Sequence, residues 1–214
     1  MEGPTMMMTV DQLIIAFDRG LRVLATSPQS KRATPAGEFQ ETSLSESDRQ
    51  HAARLMRINH TGEVCAQALY QGQALTARST QTRDALKNAA LEEIDHLAWC
   101  EQRINELGGR VSYLNTLWYL GAFSMGVAAG IAGDGWNLAF LKETEKQVEN
   151  HLNSHLQKLA VEDLKTRAIV QVMRDDEKGH AELAQSLGAY EFPRWLKEAM
   201  KLSSSIMTKT VYWV

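Results

Sequence analysis

The chain has 214 residues, a formal charge of −3, 44% hydrophobic residues and 23% charged residues. That is the length and make-up of one globular domain with short appendages, and it excludes a fibrous or wholly disordered chain. The slight negative charge argues against the basic face of a nucleic-acid binder, and two cysteines, Cys65 and Cys100, are too few for a disulfide framework. The opening MEGPTMMM is too short and too weakly apolar for a secretory signal, so both thiols read as reduced, in a cytosolic compartment.

No proline stands between Phe39 and Phe192, a stretch rich in Ala, Leu, Gln and Glu that favours helices. Thr9–Ala25 reads as a short amphipathic helix. Residues 27–42 hold two prolines, a glycine and small polar residues, and read as a linker or flexible loop. Ser43 with Glu46 fits a capping box, with Ser45 and Ser47 as rival caps, and opens a long helix to about Arg78. A second helix covers about Thr82–Leu107 and stops at Gly108-Gly109. A third runs from near Asp134 to about Ala160 and a fourth from about Glu162 to Leu187. Trp195–Val214 forms a last amphipathic piece. No strand-like alternation of useful length is present, so the fold class is all-α. The expected division is an appendage over residues 1–42, a helical bundle over 43–192 and a C-terminal segment over 193–214.

Residues 111–133 carry no charge. As a helix, at 1.5 Å per residue, they would extend about 34 Å, the thickness of a bilayer core. The glycines at 121, 126, 130 and 133, with Ser112, Asn115, Thr116 and Ser124, dilute the apolar character. The stretch reads as the crossover between two helix pairs, with three placements open: across a membrane, on its surface, or buried in the core.

Two Glu-x-x-His pairs occur, Glu93/His96 and Glu177/His180. Residues three apart share one face of a helix, so each pair can hold one metal ion. The surrounding phase gives this weight. Ala89, Glu93, His96 and Cys100 lie on one stripe; so do Met173, Glu177, His180, Ala184 and Leu187. Glu145 sits within the stripe Leu138, Leu141, Val148, Leu152, His155, Leu159, and Glu63 within Met56, Ala66, Tyr70. Four glutamates and two histidines thus replace apolar residues on core faces, where unpaired carboxylates are costly and a metal would neutralise them. One Glu from each of two helices plus Glu-x-x-His from each of two others is the ligand pattern of di-iron carboxylate bundles. Thirty residues separate Glu63 from Glu93 and 32 separate Glu145 from Glu177, which implies two similar helical hairpins. An oxygen-rich set with two imidazoles suits iron or manganese over zinc or copper, and a pair of irons can activate O₂. Glu149, one turn beyond Glu145, is the rival ligand on its helix. Glu92 and Asp176, each four residues before a ligand histidine, are candidate hydrogen-bond acceptors for the imidazoles, or solvated charges beside the stripe. His151 lies off the stripe and either lines a substrate channel or faces solvent. His51, His60 and His155 read as structural.

NHTGEVCAQALYQGQ around Glu63, EEIDH around His96, the apolar helix at 113–133, TEKQVENH around Glu145 and RDDEKGHAELA around His180 resemble the demethoxyubiquinone hydroxylases of ubiquinone biosynthesis, ferritin-like di-iron proteins of the membrane surface. The resemblance covers nearly the whole chain. It implies that Glu63, Glu93, His96, Glu145, Glu177 and His180 bind two irons, and that His151 assists electron or proton transfer. Many members follow that histidine with tyrosine, where this chain has Leu152. It further implies O₂-dependent hydroxylation of the ring of 5-demethoxyubiquinol, a polyprenyl quinol. Electrons would come from the quinol itself or from NADH, although no dinucleotide fingerprint is present. The implied location is peripheral, on the cytoplasmic face of a bacterial inner membrane. There the uncharged helix and Trp195, Tyr212 and Trp213 would rest in the interface, and Lys197, Lys201 and Lys209 would meet anionic headgroups. Association with other ubiquinone-biosynthesis proteins, or into a homo-oligomer, stays open. The alternatives are a ferritin-like ferroxidase or iron-storage protein, and another di-iron oxygenase such as a tRNA hydroxylase.

Overall fold

The computed structural model describes residues 10–214. Thr9 and the opening segment read against a secretory signal lie outside them. Among the described residues there are seven α-helices and no strand: α1 (Val10–Ala25), α2 (Glu46–Thr76), α3 (Thr80–Glu106), α4 (Asn115–Ile131), α5 (Asp134–Lys158), α6 (Leu164–Ser186) and α7 (Arg194–Val211). The all-α expectation holds. The pairs α2/α3 and α5/α6 are two hairpins joined by α4, and together they make a ferritin-like bundle around one core.

The start of α2 differs from the Ser43 capping box. Ser45 is the cap: its Oγ accepts from Asp48 N at 3.1 Å. Capping there leaves Leu44 outside the helix, where it packs against the core cluster of Met56, Trp99 and Met173. Asp134 accepts from Arg78 N at 2.9 Å and Ser79 N at 2.7 Å, which fastens the α2–α3 turn to the start of α5.

The uncharged stretch becomes α4, laid along α2. The seam is made by small residues: a methyl group added at Gly72 would meet the backbone of Phe123, and one at Gly126 the backbone of Leu69. No helix among the described residues is long and apolar enough to cross a membrane. Nor is α4 wholly buried, since Leu117, Leu120, Met125 and Ile131 are exposed while Tyr119, Ala122, Gly126 and Ala129 are covered. Val10, Leu13, Ile14 and Phe17 on α1, and Trp195, Leu202 and Ile206 on α7, are exposed as well.

Three expectations for the chain's ends need correction. Residues 27–42 are not a loose linker. Pro35–Glu38 form a 3₁₀ turn against α6, Thr42 Oγ1 donates to Glu162 O at 2.8 Å, and Glu41 pairs with buried Arg103 at 2.7 Å. The segment carries charges that match buried partners, and that is what orders it. Tyr212 turns inward, sharing a hydrogen bond with His51 Nδ1 at 2.8 Å, while Trp195 and Trp213 remain exposed. Lys197 is occupied by Glu191 at 3.3 Å and Glu143 at 3.5 Å, whereas Lys201 and Lys209 are exposed. Both cysteines are free thiols.

Candidate metal centre

All six residues drawn from the stripes meet in the bundle core. Glu93 and His96 on α3, Glu177 and His180 on α6, Glu63 on α2 and Glu145 on α5 are between 0 and 6% exposed. They fall into two overlapping groups, Glu63/Glu93/His96/Glu177 and Glu93/Glu145/Glu177/His180, with the donor atoms in each group within 4.8 Å of one another. Glu93 and Glu177 belong to both groups. Each group adds one histidine and one lone glutamate, the division two neighbouring cations with shared carboxylates would require. Glu149 joins neither group and is half-buried.

Both imidazoles turn Nδ1 inward. His96 Nδ1 stands 3.0 Å from Glu93, 3.3 Å from Glu177 and 3.9 Å from Glu63. His180 Nδ1 stands 3.4 Å from Glu177 and 3.5 Å from Glu93 and Glu145. Nε2 points outward, to a carboxylate on the opposite helix: His96 to Asp176 at 2.9 Å, His180 to Glu92 at 3.1 Å. The expected acceptors are present, but they are exchanged. Spacing suggests that each serves the histidine four residues on; in the fold each serves the histidine across the interface, because Nε2 leads away from its own helix.

Burial, then the charge of Glu93, pushes the Glu63 carboxyl well above its ordinary range. Burial and then Glu177 raise Glu145 to about 8. Burial opposes charge on the two rings, yet the surrounding carboxylates hold His96 well above a free imidazole and His180 at about 12. One oxygen of Glu93, both oxygens of Glu177 and Nδ1 of His180 are buried without a hydrogen-bond partner. Orphaned acceptors facing inward, beside acids that burial forces to compete for protons, are what a bound cation would satisfy. Four carboxylates balance two divalent ions, so the donor set fits a metal pair.

Tyr70 is a participant that the sequence placed only in the core stripe. It is fully buried, and its hydroxyl donates to Glu145 Oε1. The available signal was chemical: a tyrosine on a core face needs a partner for its hydroxyl. Asn59 is a second, with Oδ1 buried and unpartnered.

An apolar cavity of about 420 Å³ opens beside the cluster, walled by α2, α4, α5 and α7. Of the six cluster residues only Glu63 lines it, next to Asn59, Gly62, Ala66, Phe140, Val148 and His151. His151 is thus on a cavity wall, 4.0 Å ring to ring from His155, with Nε2 buried and unpartnered. Burial, then Lys158, draws its pKa down to about 4, so the ring is neutral near pH 7.

Residues 50–211 match the family described as ubiquinone biosynthesis protein COQ7. The chain belongs to the COQ7 family. Among curated COQ7-family relatives named 3-demethoxyubiquinol 3-hydroxylase, that of Chromobacterium violaceum is 57% identical over 96% of this chain and 100% of its own length. That of Nitrosomonas europaea is 56% identical over 97% and 100%. That of Laribacter hongkongensis is 58% identical over 96% and 100%. The matched residues include all six of the cluster and every residue that lines the cavity.

Proposed function

We propose that this protein is a 3-demethoxyubiquinol 3-hydroxylase, a di-iron monooxygenase that adds one oxygen atom from O₂ to the ring of a polyprenyl quinol. The observation that carries the reading is the contact between two features: a buried four-glutamate, two-histidine cluster and an apolar cavity that reaches it at Glu63. Glu63, Glu93, His96, Glu145, Glu177 and His180 would hold the irons, with Glu93 and Glu177 shared. A reduced iron pair supplies O₂ activation.

The chain's own residues do the rest. The cavity wall of Ala66, Leu69, Ala122, Phe140 and Val148 excludes water and accepts an aromatic ring by burial. Asn59 Oδ1 and His151 Nε2 are unpartnered polar atoms on residues of that wall, placed to take hydrogen bonds from ring hydroxyls and orient the ring toward Glu63. Because burial keeps His151 neutral near pH 7, its ring can accept such a hydrogen bond from the quinol. Asp176 and Glu92 keep both histidines with Nδ1 toward the metals.

The cavity's outer walls, α4 and α7, each expose several large apolar side chains, as α1 does. This supports a protein resting on the cytoplasmic face of the membrane and drawing a lipid-dissolved quinol between those helices. The test is a single turnover: Fe(II)-loaded protein, a short-tailed demethoxyubiquinol, and O₂, with the quinone read by mass. Gain of one ring oxygen that depends on iron is the expected result. O₂ consumption with an unchanged quinone overturns the substrate and favours a ferroxidase.

A further inference from the structure

The two outer carboxylates are not equivalent. Glu92 has a half-exposed side chain (50%) and, among the described residues, no partner but His180. Asp176 is 23% exposed and has a second partner: Arg32 Nη1 meets it at 2.9 Å. Arg32 is itself held from three sides. Its Nε lies 2.9 Å from Asp95, its guanidinium stands 4.7 Å over the ring of buried Trp99, and that ring is 5.5 Å from His96. Asp95 also accepts from Lys31 N at 2.7 Å and Ser30 Oγ at 3.1 Å, so the chain leading into Arg32 is held on the same carboxylate. Residues 30–32 therefore form a strap from the N-terminal segment across α3 to α6, ending on the carboxylate behind one histidine only.

A carboxylate that is fixed in place fixes the tautomer and the aim of the imidazole it accepts from; a free one leaves both to fluctuate. Ordering one histidine in advance removes an entropic cost that metal binding would otherwise carry. We propose that the Ser30–Arg32 strap positions His96 through Asp176 and makes the two metal positions unequal, the Glu63/His96 position filling first and more tightly than the Glu145/His180 position. Arg32 is a positioning residue in this scheme; it touches neither metal nor substrate. The proposal rests on reading the six residues as a two-metal centre.

The experiment is a Co(II) titration of the metal-free full-length protein, followed by visible absorption and equilibrium dialysis, with no turnover involved. The wild type should bind two ions in two resolved steps, the first tighter by about tenfold or more. His96→Ala should delete the tight step and His180→Ala the weak one. Arg32→Ala should weaken the first step by about tenfold and leave the second in place, so that the two merge, whereas Glu92→Gln should leave the first step unchanged. If Arg32→Ala does not fold, Arg32→Lys, which keeps the charge without the two-pronged grip, serves with the same expected loss. Two indistinguishable steps in the wild type, or an equal weakening of both steps by Arg32→Ala, would overturn the strap and leave the metal pair intact. Fewer than two ions per chain would overturn the two-metal reading itself, and the strap with it.

Discussion

On one side of the cluster, α2 and α5 bring Gly62, Ala66, Phe140 and Val148 up to the cavity, and each supplies a single glutamate. On the other side, α3 and α6 bring Asp176, Glu92 and Asp95, joined by Arg32 from the segment before α2, up to the backs of two histidines. The same core thus has an apolar front and a charged back. Hydrogen-bonded charges are affordable only where the ring nitrogens need acceptors; a front of that kind would repel an apolar ring. The back sets how the metals are held, and the front sets what can approach them.

The largest effect should come from the back. Glu177 serves both groups, and both its oxygens lack partners. Glu177→Ala should abolish hydroxylation and weaken metal binding by more than the roughly 10–100-fold typical of outer carboxylates. Metal binding that stays at the wild-type level would contradict the cation-shaped reading of the cluster. The next effect concerns the layer behind the front. Gly126→Leu would drive a side chain into the Leu69 backbone and part α4 from α2, at a cost above the roughly 1–3 kcal/mol of ordinary overpacking. Denaturant unfolding would measure it.

Gly62→Leu separates front from back. No atom lies within 4 Å of a methyl group built at Gly62, and the residue lines the cavity. The variant should keep its metal content, gain up to about 1 kcal/mol from helix propensity, and lose turnover at least tenfold as the leucine occupies the ring's space. Retained turnover would place the quinol elsewhere.

The smallest effect is a pH dependence. Burial, then His151, lowers His155 to about 2, against 6.5 for the free side chain. A depressed histidine refuses a proton that the unfolded chain accepts. Its contribution to stability is therefore full above pH 6.5 and declines as the pH falls from there toward 2. Between pH 6.5 and 4.5, His155→Gln should lose roughly 2 kcal/mol less stability than the wild type. Parallel curves would mean that the His155 ring takes up its proton in the folded state.

Helix identities and the six cluster residues were legible because they depend on phase along a single helix, which spacing fixes. Glu145 could be preferred to Glu149 for that reason: one lies on the stripe with Leu141 and Leu152, the other beside it. What depends on a neighbouring helix was not legible. Asp176 and Glu92 were identifiable as acceptors, but their exchange between α3 and α6 needs the packing. Residues 27–42 looked like a linker from their prolines and glycine; the partners of Arg32 and Glu41 lie more than 60 residues away in the chain. Tyr212 has the make-up of an interfacial aromatic, and the partner that turns its hydroxyl inward, His51, is 161 residues away in the chain.

Cys65 lines the cavity close to Glu63, and burial, followed by Glu63, pushes its thiol up to about 12. At neutral pH it offers only a trace of thiolate. A small alkylating reagent would therefore label it slowly, at a rate set by how often the pocket admits a visitor, and a seated quinol would slow it further. The protein carries its own clock for the traffic through its doorway.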